Sequence, residues 1–134
     1  MKKYFIAYRH TGEDLMELEK RISTIDIALA SKGIKSYATL SEENEFQENN
    51  VSAGQIMERA FQKITAMDGL FVLIASSEKS EGQLVEIGFA LALKKPVIVA
   101  RQKDAKTYMH ELTNLSFEYS DMADLSRKIQ ELNL

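Results

Sequence analysis

The chain has 134 residues, 45% hydrophobic and 28% charged, with a formal net charge of −3. That suits a single globular domain over residues 1–134 and supplies no basic face for nucleic acid. The absence of cysteine excludes disulfides and thiolate chemistry, and two histidines, His10 and His110, are too few for a histidine-rich metal site. No metal and no cofactor is expected. The apolar stretch after Met1-Lys2-Lys3 is too short for a signal peptide or membrane span, so a cytoplasmic location with no membrane partner is expected. His110 reads as a surface helix position.

Strand-like and helix-like runs alternate along the chain. Tyr4–Tyr8 is the first strand. Leu15, Leu18, Ile22, Ile25 and Leu29 then recur at helical spacing, and Lys32-Gly33 stops the helix. Ile34–Leu40 is the second strand. The acidic stretch Ser41–Asn50 reads as a solvated loop or, alternatively, as a lid in which Phe46 covers a ligand. Ser52 is placed to cap a second helix marked by Ile56, Met57, Ala60, Phe61 and Ile64. Leu70–Ala75 is the third strand, and a third helix runs from about Glu81 to Lys95, before Pro96. Pro96–Ala100 is the fourth strand, followed by a weaker helical turn around Lys106–Thr113. Leu115–Tyr119 is the fifth, and Met122, Leu125, Ile129 and Leu132 mark the last helix.

This alternation predicts an α/β three-layer sandwich whose parallel strands are joined by right-handed crossovers. The third and fourth strands are apolar throughout, as central strands are, whereas the second and fifth alternate as edge strands do. The simplest arrangement is a flavodoxin-like five-stranded sheet in the order 2-1-3-4-5. Its ligand site lies beyond the carboxyl ends of strands 1 and 3, where the order reverses. The loops Arg9–Asp14 and Ser76–Gly82 therefore border the site.

The third helix carries the main clue. Between Leu84 and Leu93 only Glu86 is charged, and an unpaired carboxylate on so apolar a helix is costly. One reading ties Glu86 to nearby backbone or a lysine. The other makes it a functional anion, kept ionised by the positive end of the helix and close to Gly82 and Gln83 at the crevice. Gly88 reads as a structural close approach to a strand. In the first loop, Arg9, His10, Thr11 and Gly12 precede a helix N-terminus and suit a phosphate. The competing reading pairs Arg9 and His10 with Glu13 and Asp14 and leaves Thr11 as a helix cap.

The run Ser80-Glu81-Gly82-Gln83-Leu84-Val85-Glu86-Ile87-Gly88, followed by Ala90, Ala92 and Lys95-Pro96-Val97, resembles the signature of the nucleoside 2-deoxyribosyltransferase family. Within it the resemblance is nearest to the 2'-deoxynucleoside 5'-phosphate N-hydrolases. The resemblance implies a nucleoside or nucleotide substrate, cleaved or transferred at its N-glycosidic bond. Glu86 would be the nucleophile, Ser80 would help hold the sugar-phosphate, and a strand-1 tyrosine, Tyr4 or a neighbour, would assist. Arg9 or His10 would grip the 5'-phosphate, and a homo-oligomer would complete the site. A carboxylate suits that chemistry because it stabilises or captures an oxocarbenium-like centre.

The pattern breaks at one place. The family's aspartate on the second helix falls on Ala60, which removes an acid that helps the base to leave. Asp68, before strand 3, reads as structural. Two alternatives stand beside the N-glycosidase. One is a TIR-like NAD-cleaving domain, from the likeness of Phe5–Arg9 and Gly12–Asp14 to the opening of such domains. The other is a non-catalytic nucleotide-binding or interaction module on the same fold.

Overall fold

The computed structural model describes residues 1–113 and 115–134. Five parallel strands are ordered β2-β1-β3-β4-β5, in agreement with the order expected from strand composition. They are β1 (Lys2–Ala7), β2 (Ile34–Tyr37), β3 (Gly69–Ile74), β4 (Val97–Gln102) and β5 (Leu115–Tyr119). All six residues of β3 are buried, whereas β5 alternates between partly buried or buried and exposed positions. That contrast separates a strand covered on both faces from one at an edge.

Two helices cover each face. On one side α1 (Leu15–Ala30) and α5 (Met122–Glu131) press Leu18, Ile25, Leu29, Leu125 and Ile129 against Tyr4, Ile6, Phe71 and Ile98. On the other, α3 (Ala53–Ala66) and α4 (Glu81–Ala92) bring Ala60, Ile64, Ile87 and Ala90 onto Phe5, Leu70, Val72 and Val99. Each fully buried aliphatic or aromatic side chain contributes roughly 1.5–3 kcal/mol, and the two layers hold the sheet rigid between them.

Several ends are set by local chemistry. Ser52 and Gln55 form a reciprocal capping box on α3. The α1 stop is Gly33, at φ 75°, which a side chain would resist. Asp14 caps α1, accepting from the Glu17 N–H at 3.0 Å, so the cap is Asp14 and Thr11 is exposed. Asp68 is structural as read: its Oδ2 accepts from the Lys3 N–H at 2.8 Å, and its own N–H donates to the Lys3 carbonyl.

Four expectations need correction. The second strand ends at Tyr37, not Leu40, because Thr39–Glu42 forms a 3-10 turn that leads into a short helix, α2 (Glu43–Glu48). The acidic stretch is therefore helical, and its one aromatic residue, Phe46, is 3% exposed with the Arg59 guanidinium 5.3 Å from its ring. Gly88 does not approach a strand. It lies on the outer face of α4, with nothing within 4 Å of where a Cβ would stand. His110 is half-buried rather than superficial, and its Nδ1 has no hydrogen-bond partner among the described residues.

Candidate active site

The crevice expected between β1 and β3 is organised by Gln83. This residue is 2% exposed, and its Nε2 donates to the carbonyls of Ala7 (3.2 Å) and Leu73 (2.7 Å), near the carboxyl ends of the two strands. Only the NH2 end of the amide can face two carbonyls at once. One side chain thus fixes the start of α4 to both strands where the sheet order reverses. Ser80 caps the same helix, its Oγ accepting from the Gln83 N–H at 3.2 Å.

Glu86, the sixth residue of α4, is partly buried and has no hydrogen-bond or ion-pair partner among the described residues. Burial pushes its carboxyl up to about 8. The helix dipole does not offset that desolvation, because its influence fades beyond the first turn. The expectation that the helix end keeps Glu86 ionised is corrected accordingly. The reading of Glu86 as a tethered structural carboxylate loses its basis as well, since no lysine or backbone donor holds it.

The tyrosine that feels the charge of this carboxylate is Tyr8. Its phenol is raised well above the ordinary value, chiefly by burial, with the charges of Glu43 and Glu86 adding to the effect. The Tyr8 hydroxyl donates to Glu43 Oε1 at 2.8 Å and lies 3.0 Å from Thr39 Oγ1. Tyr4 is not in the crevice. It is 2% exposed in the layer under α1 and α5, and its ring occupies the space a side chain on Gly69 would need, 2.6 Å from that Cβ. Burial, and after it the charge of Asp68, raises its phenol. Residues two apart on a strand share a face, so Tyr4 and Tyr8 point to the same layer, but only Tyr8 lies beyond the strand's end.

The first loop is tied to the third. Arg9 Nε donates to the Lys79 carbonyl at 3.3 Å and Nη1 to Glu13 Oε1 at 3.0 Å, while Ser76 Oγ donates to the same Glu13 oxygen at 3.3 Å. Arg9 and Gly12 therefore stand beside the segment leading to Ser80 and Gly82. An added Cβ at Gly12 would sit 3.2 Å from the guanidinium, and its φ of 78° favours glycine. Gly82 faces α3, where an added Cβ would sit 3.7 Å from the Met57 methyl. His10 is turned to Glu43, with Nδ1 3.9 Å from Oε2. The expected pairing of Arg9 with Glu13 is present, whereas His10 finds Glu43 and not Asp14.

Tyr8 and Glu43 were not singled out by the sequence reading, and Gln83 was placed at the crevice without its role in joining the two strands. Gln83 had a signal: it falls in register with Ile87 and Ala90 on the buried stripe of α4. Tyr8 was within the expected strand, but its position past the strand's end was not legible. Glu43 had no signal, being one carboxylate among several in an acidic run.

Comparison with known proteins bears on this geometry. The fold is similar to that of the CMP N-glycosidase BcmB of Clostridium botulinum, at 21% identity and a TM-score of 0.70, with 98% of this chain and 100% of that one covered. It is also similar to a 2-deoxyribosyltransferase of Bacillus psychrosaccharolyticus, at 18% identity and a TM-score of 0.67, covering 98% and 93%. A conserved protein of Enterococcus faecalis V583 gives 18% identity and a TM-score of 0.65, covering 98% of each chain. At these identities the likeness is one of fold. No curated protein sequence matches significantly. The model of the nucleoside 2-deoxyribosyltransferase family matches residues 11–124, which include Gly12, Ser80, Gly82 and Glu86 but not Tyr4, Arg9 or His10. The match spans most of the sequence, and the chain belongs to the nucleoside 2-deoxyribosyltransferase family.

Proposed function

We propose that this protein cleaves, or transfers across, the N-glycosidic bond of a small nucleoside or nucleotide, with Glu86 as the nucleophile. The observation that carries the reading is an unpaired, partly buried carboxylate on α4, one turn beyond the Gln83 that ties this helix to the ends of β1 and β3. Glu86 attacks the anomeric carbon as the base departs with the bonding electrons. Water then cleaves the glycosyl ester, or a second base accepts the sugar. Apolar surroundings strengthen the field of an ionised Glu86 at the developing cation. Tyr8 helps to fix the wall facing it. The family membership supports this chemistry, and the two named structural relatives carry names of the same chemical kind. The test is incubation with nucleosides, 5'-monophosphates and NAD, followed by chromatography for free base. Release of nicotinamide alone would favour the TIR-like alternative, and binding without release a non-catalytic module.

The 5'-phosphate site belongs to the same proposal. Arg9, His10, Thr11 and Gly12 from the first loop, with Ser80 and Gly82 at the head of α4, are its expected residues. In the ligand-free arrangement Arg9 is held by Glu13, so a phosphate competes with that carboxylate for the guanidinium. Monophosphates are expected to bind more tightly than nucleosides, by about tenfold, one charge-assisted contact. Replacing Glu13 with Gln should widen the gap several-fold, and Arg9→Ala should close it. Calorimetry on paired ligands measures both. Equal affinity for the pair in the wild type removes the phosphate site.

Self-association, as in a homo-oligomer, is the last part of the proposal. The outer face of α4 supports it: Val85 is 45% exposed and Gly88 stands in open space on the same helix. Sedimentation equilibrium tests it.

A further inference from the structure

Ala60, the position on which the family's acid falls, is buried in the layer against the sheet. A different carboxylate enters from α2. Between α2 and the start of α3 lies a cavity of about 330 Å³, lined by Glu43, Phe46, Gln47, Asn50, Val51 and Ile56. This is at the lower end of the size of small-ligand sites, and it combines apolar walls with a few polar groups, as such sites do. Three of its residues are apolar, two are primary amides and one is a carboxylate. That composition suits a flat heteroaromatic ring with polar edges.

Glu43 connects this cavity to the reaction centre. Its Oε1 accepts from the Tyr8 hydroxyl at 2.8 Å, and its Oε2 faces His10 Nδ1 at 3.9 Å, beyond hydrogen-bond reach. Tyr8 lies in the fields of both Glu43 and Glu86. Glu43 is bonded to this phenol and also stands at the cavity wall, while Glu86 on α4 acts on the phenol through its charge.

We infer that this cavity holds the nucleobase, and that Glu43 selects bases presenting an exocyclic amino group over those presenting a carbonyl at the same place. The inference rests on the reading of Glu86 as the residue facing the sugar. A carboxylate accepts hydrogen bonds and donates none, so it pairs with the amino edge of adenine or cytosine. The carbonyl of hypoxanthine or uracil would set lone pairs against an anion and be left without a donor there. Gln47 and Asn50 each offer a donor and an acceptor, so they serve either edge and do not discriminate. Discrimination falls to Glu43.

The experiment compares adenine with hypoxanthine, and cytosine with uracil, as free bases and as nucleosides. Binding is read by calorimetry or ligand-observed NMR, and release by chromatography. The wild type should prefer the amino member of each pair by about tenfold or more, the scale of one well-placed base-edge contact. Glu43→Gln keeps an acceptor for Tyr8 but adds a donor, and should collapse the preference. Glu43→Asp, which withdraws the carboxylate, should weaken it. Glu86→Gln should retain the preference in binding. No binding of any base, equal binding in the wild type, a preference for the carbonyl member, or an unchanged preference in Glu43→Gln would each overturn the inference. An amino preference in binding that is lost in Glu43→Gln, with no base released from any substrate, would sink the N-glycosidase reading and leave this subsite standing.

Discussion

Glu86→Gln should abolish base release, by about a thousandfold or more, and at the same time make the protein more stable at alkaline pH. Glutamine keeps the shape of the side chain and removes the charge that captures the oxocarbenium-like centre, so the loss falls on turnover and not on substrate binding. The effect on stability follows from the raised carboxyl. In the unfolded chain Glu86 titrates near 4.5, and in the folded protein near 8. Between these values the folded state holds the proton more tightly, so the contribution of Glu86 to stability is fully present below pH 4.5. It is lost as pH rises to 8, and above pH 8 the desolvated charge is carried in full. The glutamine variant carries none. Its advantage should therefore grow from acid to alkaline pH and reach on the order of 2 kcal/mol, after discounting for solvent screening of a partly exposed group. A carboxylate with a structural partner would behave oppositely, because breaking a buried pair costs roughly 3–5 kcal/mol. The wild-type kcat/KM should rise with pH through about 8, as the free enzyme's nucleophile ionises. Melting curves and turnover across that range test these linked outcomes. Full turnover by Glu86→Gln would remove Glu86 from the chemistry, whatever happened to stability.

Gln83→Leu is expected to cost about 2–4 kcal/mol of stability and to lower turnover as well. Leucine fills nearly the same volume but donates nothing, so the Ala7 and Leu73 carbonyls lose a shared buried donor. Each buried polar group left unpaired costs roughly 1–3 kcal/mol. A drop in melting midpoint of about 10 °C is the corresponding scale for a domain of this size. The fall in turnover has a geometric cause: Gln83 holds the first turn of α4, and Glu86 stands one turn further along the same helix. Gln83→Glu supplies a second check. Its ionised carboxylate would face two carbonyl oxygens, whereas the protonated acid can donate to one of them. That variant should therefore regain stability as pH falls, within the range where acid does not denature the wild type. A Gln83→Leu variant with an unchanged midpoint would show that the two strand ends do not depend on this amide.

What the sequence determined by itself was the architecture, and it singled out Glu86 as the candidate nucleophile. Strand order could be read because apolar composition reports burial on two faces: Leu70–Ile74 had to lie inside and Leu115–Tyr119 at an edge. Glu86 stood out because one carboxylate interrupts ten residues of apolar helix, and a charge in such surroundings needs a reason. These are local statements about composition and period, and local statements survive folding when burial is the dominant force. Tertiary structure decided what depends on which element meets which. Tyr4 and Tyr8 are indistinguishable by period, yet one is sealed against Gly69 and the other reaches past the strand end to Glu43. Arg9 reads in the chain either as a phosphate ligand or as a partner of the nearby carboxylates, and the fold pairs it with Glu13. Glu43 gains its place only because the acidic stretch folds into a helix that brings it to Tyr8, just past the end of β1. Cross-element contacts of this kind are made by residues far apart in sequence, 35 positions for Tyr8 and Glu43 and 76 for Gln83 and Ala7. No periodicity encodes them, because they arise when the sheet and its two helical layers close around the crevice.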